Sequence, residues 1–302
     1  MNFCSQCSIA IFLTLAPLAN VLAQDNNIQA QLSLPLTKQY LSQLEALKED
    51  NQWAQITTLG EKAYDESIKQ GDAGQAFLIA DQLLSTYYRL GEFKKALFYG
   101  DKMELLAGKI DTPIFVVNAF YKSSAAFRGM ANEAPIKEQK ELFNQARKLI
   151  QKSLLLLNEK CEKEKALAAR VYFNAGALEE DDPLGDLGLA EDFLKKAERL
   201  FLSLAENDFH QRSSIRLGKV YLLQGKVPLA RAIINGLSIA NLEKRTNMQL
   251  LYLEAQVLWE EGKQQEALNK ALKAKEIALS LGARADLMRF EQFIAAFPKG
   301  DN

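Results

Sequence analysis

The residues that could do chemistry are few. His210 is the only histidine, and a general base needs a partner that no neighbouring residue supplies. Cys161 could join it only if the fold brought the two together across about one structural unit. No Ser/His/Asp set, P-loop or metal-ligand spacing occurs. The acidic run Glu179-Glu180-Asp181-Asp182-Pro183-Leu184-Gly185-Asp186 is the best candidate for a cation such as Ca²⁺. Its spacing is not that of an EF-hand, so a solvated charged turn is the plainer expectation. Among 38 acidic residues a glycosidase-type carboxylate pair could hide, but no spacing singles one out. The expectation is a chain with no catalytic residue, metal or cofactor.

Bulk properties narrow the class. Of 302 residues, 48% are apolar and 25% charged, which suits a folded protein rather than a disordered one. The net charge of −1 gives no basic stripe for nucleic acid and no polybasic segment for a lipid surface. Leu, Ala, Lys and Glu dominate, and these favour helix.

The first residues stand apart. Ile9 to Ala16 is apolar, Pro17 follows, and Asn20-Val21-Leu22-Ala23 leads into polar Gln24-Asp25-Asn26-Asn27. This is the layout of an export leader cleaved after Ala23, although Met1 to Ser8 carries no Lys or Arg. An uncleaved anchor is the alternative, but the apolar run of about 15 residues is short of the ~20 that a span needs. Residues 1–23 are therefore expected to be removed, and 24–35 to form a linker. The remaining chain is expected in the periplasm or outside the cell, with no membrane span. Cys4 and Cys7 fall in the leader, which leaves Cys161 without an intrachain disulfide partner.

The elements that would position any site show themselves by spacing. Gly218, Tyr221, Gly225 and Ala230 recur 37 residues later as Ala255, Leu258, Gly262 and Ala267. A small residue on a first helix admits its neighbour closely, and the glycine permits a tight turn. A second small residue completes the packing, and Pro228 fits the first turn of the second helix. Upstream, Leu44, Leu84 and Ser124 align at a period of 40, as do Leu47, Tyr87 and Phe127. The frame slips at Ala131–Glu138 and at 179–186, both expected as stretched turns. The fourth unit could use either Ala169 or Gly176 as its small position. Glu159–Lys163 and Glu162–Lys165 have the spacing of helical ion pairs.

These units, and most closely Tyr87-Tyr88-Arg89-Leu90-Gly91-Glu92-Phe93-Lys94-Lys95-Ala96, resemble the tetratricopeptide-repeat family. The resemblance implies an all-α, right-handed α-solenoid: six helix pairs over 36–282, then a capping helix and tail over 283–302. It also implies a concave groove lined by the first helix of each pair, holding a segment of a protein or peptide partner. In this frame the groove-facing residues are Tyr88, Arg89, Asn118, Tyr121, Arg128, Arg212, Arg216, Lys219, Tyr252, Gln256 and Trp259, with Asp81 and Ser85 beside them. Some members of the family clamp a C-terminal carboxylate. If Gly176 is the small position of the fourth unit, Asn174, Arg212 and Arg216 would fit part of that clamp, but Tyr121 and Ala125 occupy the places of its remaining Lys and Asn. A milder expectation is a preference for acidic segments at Arg212, Arg216 and Lys219. A partner-binding scaffold is thus expected. A binder of short peptides or small ligands is the alternative, and a helical enzyme a more distant one.

Overall fold

The computed structural model describes residues 35–50, 52–160, 164–237 and 242–297. The leader, Cys4, Cys7, Cys161 and the Glu159–Lys163 and Glu162–Lys165 pairs involve residues outside that set. Among the described residues there are thirteen α-helices and no strand. They are α1 (Pro35–Glu49), α2 (Trp53–Lys69), α3 (Ala73–Leu90), α4 (Phe93–Ile110), α5 (Pro113–Glu133) and α6 (Ile136–Lys160). After these come α7 (Lys165–Asp181), α8 (Leu187–Ser203), α9 (Asn207–Leu223), α10 (Val227–Gly236), α11 (Lys244–Glu260), α12 (Gln264–Ser280) and α13 (Arg284–Ala295). Consecutive helices pack against each other in pairs, so the architecture is a repeat-like array. No described helix is long and apolar enough to cross a membrane.

The turns explain why the chain reverses where it does. At Gly91 (φ 76°) the Gly91 amide donates to the Tyr88 carbonyl at 3.2 Å, and the Glu92 amide donates to the Tyr87 carbonyl at 2.9 Å. These bonds satisfy carbonyls that the helix end leaves open. The same closure recurs at Gly225, Gly262 and Gly282, all at positive φ. The α8–α9 turn makes it with Ala205 at φ 56°, where a Cβ is unfavourable. Pro228 lies in the first turn of α10, as the sequence predicts.

The core is a series of clusters rather than one centre, as expected for a fold that grows along one axis. Small residues set the close approaches. A Cβ on Gly218 would come within 2.7 Å of Leu253, and one on Gly176 within 2.7 Å of Leu194. Gly176 is therefore the residue that admits α8 in the fourth pair, although Ala169 is also fully buried.

Two expected stretched turns prove different. Helix α5 continues to Glu133 and α6 begins at Ile136, so the break around Pro135 is only Ala134 and Pro135. The acidic run is not a solvated turn either, since α7 continues through Asp181 and buries its carboxylates. At the far end, Phe290 and Phe293 of α13 cover Tyr252 of α11, with ring centroids 4.4 and 5.5 Å apart. The array also bends back on itself: Arg289 of α13 reaches Asp181 of α7 at 3.9 Å.

The turn geometry predicts a pair of opposite effects. A Cβ at Gly225 would meet nothing within 4 Å, so only its backbone strain counts. Gly225→Ala should lower the unfolding free energy by about 1 kcal/mol, and Ala205→Gly should raise it by up to about 1 kcal/mol. Urea titration of both variants checks this. Shifts of the same sign would show that the left-handed turns are not what these positions are built for.

Candidate binding cavity

The odd-numbered helices surround a cavity of about 1370 Å³. Its lining comes from α1, α3, α5, α7, α9, α11 and α13 or from residues just before them. Trp53 and Phe93, each the first residue of an even-numbered helix, complete it. Ion pairs tie neighbouring helices around the wall: Arg170 to Glu206 at 3.0 Å, Arg245 to Asp286 at 3.1 Å, and Lys122 to Asp81.

The densest charge cluster sits where α7 ends. The Glu180 side chain is 0% exposed and that of Asp181 is 4% exposed. Arg216 and Lys219 of α9 both bond Glu180. Asp181 accepts from Arg128 of α5 at 3.0 Å and lies 3.4 Å from Lys219, 3.6 Å from Arg216 and 3.9 Å from Arg289. Burial alone pushes the Asp181 carboxyl up. The charges of Arg216, Lys219, Arg128 and Arg289 outweigh that and hold it well below the usual carboxylate range.

The flanking acids point elsewhere. Arg147 of α6 donates to Glu179 at 3.1 and 3.2 Å and to Asp182 at 2.8 Å. The Asp186 amide donates to Glu179 at 3.0 Å, and Asp186 in turn caps α8. A Cβ on Gly185 would lie 2.1 Å from the Glu179 carbonyl oxygen, so only glycine closes this turn. These carboxylates are occupied by cations and amides. Among the described residues no group of His, Cys, Asp and Glu has the arrangement of a metal site.

Nine of the eleven expected groove residues line the cavity: Tyr88, Arg89, Tyr121, Arg128, Arg212, Arg216, Lys219, Tyr252 and Gln256. Asn118 and Trp259 do not. Asn118 is buried in α5, and Trp259 packs on Phe297 at 4.6 Å and Phe293 at 6.0 Å. Asp81, Ser85, Asn174 and Ala125 line it as well. Arg216 and Lys219 are already paired with Glu180, so they are not free to receive an acidic segment, and the partial clamp loses Arg216. His210 lies 4.0 Å from Glu198 of α8 and is not in the lining.

Sequence reasoning missed Glu180, Asp181, Arg170, Arg245 and Arg289. The signal for the first two was present: the acids directly continue the apolar helix Ala175–Leu178, so they had to be buried or to end it. Arg245 stands 37 residues after Asp208, within the same frame as the other groove positions. Arg289 belongs to the last helix, for which the repeat frame makes no assignment.

Asp181 makes stability depend on pH. Its folded-state value is depressed, so its contribution is complete above the unfolded value of about 3.9 and is lost as pH falls through the folded value. At neutral pH Asp181→Asn should cost about 3–5 kcal/mol, because it leaves cations buried without their partner. The gap to the unmutated chain should narrow as pH falls below about 4. Unfolding curves collected across that range check both statements. No protein-family model matches this chain, and no curated protein sequence matches it either.

Proposed function

We propose that this chain is a non-catalytic binding protein, a tetratricopeptide-like solenoid that holds a segment of a protein partner in its central cavity. One observation carries the reading: the first helix of every pair, and the final helix, contribute to a single concavity. Its volume of about 1370 Å³ exceeds the ~300–1,000 Å³ of an ordinary small-molecule pocket. Its wall mixes tyrosines with arginines, side chains that combine apolar area with directed donors and are enriched where binding energy concentrates. In this reading the array is a right-handed superhelix, α13 caps its exposed apolar end, and the protein works after export with the leader removed after Ala23.

A second reading has one observation in its favour. Helix α13 reaches back to α7 through Arg289 and Asp181, which draws the last helix against the middle of the array. A short free peptide or small ligand would be enclosed by that arrangement, whereas a long segment would have to thread through it.

The test uses a photo-crosslinking side chain at Gln249, which lines the cavity, and another at Phe98, which is exposed and does not line it. Irradiation in the native compartment should give a discrete protein adduct from position 249 and none from position 98. Adducts from position 98 alone would place binding on the outer face and sink the proposal. A low-mass adduct from position 249 would favour the second reading. Sequencing the mature chain should find Gln24 at its amino terminus.

A further inference from the structure

Three cations in the cavity lack a close carboxylate: Arg89 has none within ion-pairing distance among the described residues, and Arg212 and Arg289 have only loose ones, at 3.7 and 3.9 Å. Arg128, Arg170, Arg216, Lys219 and Arg245 each contact a carboxylate at 3.1 Å or closer, so their charges are balanced from within the chain. Arg89 differs. Among the described residues no carboxylate stands within ion-pairing distance of it, and its guanidinium carbon lies 5.0 Å from the centre of the Trp53 ring. Arg212 is nearly as free. Asp208 lies 3.7 Å away and also accepts a hydrogen bond from Thr246, while the buried Nε of Arg212 has no hydrogen-bond partner. The Arg212 guanidinium lies 5.1 Å from the Phe209 ring and 5.7 Å from the Phe173 ring.

The surroundings make this arrangement costly unless something else occupies it. Burial, followed by repulsion from Arg245 and Arg212, lowers the Arg89 guanidinium to about 10, with Glu243 and Asp208 only tempering the effect. Burial lowers Arg212 too. Both remain cationic at neutral pH. Buried like charges without a counter-ion are unfavourable. Aromatic rings beside a guanidinium satisfy its flat face and leave its N–H fork unsatisfied. Arg89 belongs to the second pair and Arg212 to the fifth, so an anion between them would bridge distant parts of the array.

We infer that Arg89 and Arg212 form an oxyanion site, and that the segment taken by the cavity presents an acidic side chain there, beside an apolar residue against Trp53, Phe173 and Phe209. This rests on the proposal that the cavity binds a segment, and of the cations expected to favour acidic segments it keeps Arg212 and replaces Arg216 and Lys219 with Arg89. The guanidinium fork suits a carboxylate held by two parallel bonds. Such a ligand would supply the close counter-charge that Asp208, 3.7 Å from Arg212, and Glu243 provide only in part.

The experiment uses the mature chain and two labelled peptides that differ only in a central Glu-Leu-Glu or Gln-Leu-Gln, with glutarate and inorganic phosphate as free anions. The acidic peptide should bind at least about tenfold tighter than the neutral one, and Arg89→Gln or Arg212→Gln should each remove most of that difference. Equal binding of both peptides, or an acidic preference that survives both substitutions, would overturn the oxyanion site and leave the cavity as a segment binder. Binding of neither peptide, with glutarate or phosphate raising the melting midpoint of the unmutated chain but not of the double variant, would keep the oxyanion site and overturn segment binding. No response to any probe would overturn both. Without ligand, Arg89→Gln should leave the midpoint unchanged or raise it, whereas Arg216→Gln, which strips a partner from buried Glu180, should lower it. A fall for Arg89→Gln as large as that for Arg216→Gln would make Arg89 a structural cation and refute the assignment.

Discussion

Glu180 and Asp181 end a helix in a place that water barely reaches, and carboxylates there must be met by cations. Those cations arrive from three other helices: Arg128 on α5, Arg216 and Lys219 on α9, and Arg289 on α13. Helix pairs that contact only their neighbours leave the curvature of an array to small adjustments at each interface. A charge cluster joining α5, α7, α9 and α13 removes that freedom. Because desolvation offsets much of the attraction in a buried pair, the cluster fixes geometry more than it adds net stability. The cavity exists in this form because the wall is pinned at that point.

The same constraint divides the cavity wall chemically. Around the end of α7 the arginines and Lys219 are consumed by the fold, and their donors face internal carboxylates. On the side of Arg89 and Arg212 the cations rest on aromatic rings, and the buried Nε of Arg212 has no hydrogen-bond partner. A residue type therefore does not reveal its role in this cavity. Arg212 and Arg216 lie one helical turn apart on α9, yet only Arg216 is closely paired.

Close approach of the helices supplies the second constraint. Gly176 and Gly218 sit where a Cβ would collide with a leucine of the neighbouring helix, and Gly129 sits where it would collide with the Phe93 ring. These close approaches let large side chains such as Leu194, Leu253 and Phe93 pack directly over the glycines. They also bring the first helices near enough to enclose one cavity.

The helices, their turns and their pairing were legible in the sequence, because each depends on residues a few positions apart. Gly91, Gly225 and Gly262 mark turns by backbone permissiveness alone, and the small residues recur at the repeat spacing. Nine of the eleven groove residues expected from the same frame line the cavity. Where the acidic run lay was also legible, but its role was not, because four consecutive acids before a proline read locally as a solvated turn. Only the tertiary structure decided that they are buried, since their cationic partners stand between 32 and 108 residues away, at Arg147, Arg128, Arg216, Lys219 and Arg289. It likewise decided that Trp259 belongs under α13 and that Arg89, among the described residues, has no carboxylate within ion-pairing distance. Local sequence sets which conformations a segment can adopt. Which charges meet depends on how far the whole array bends, and that is a sum over every interface along it.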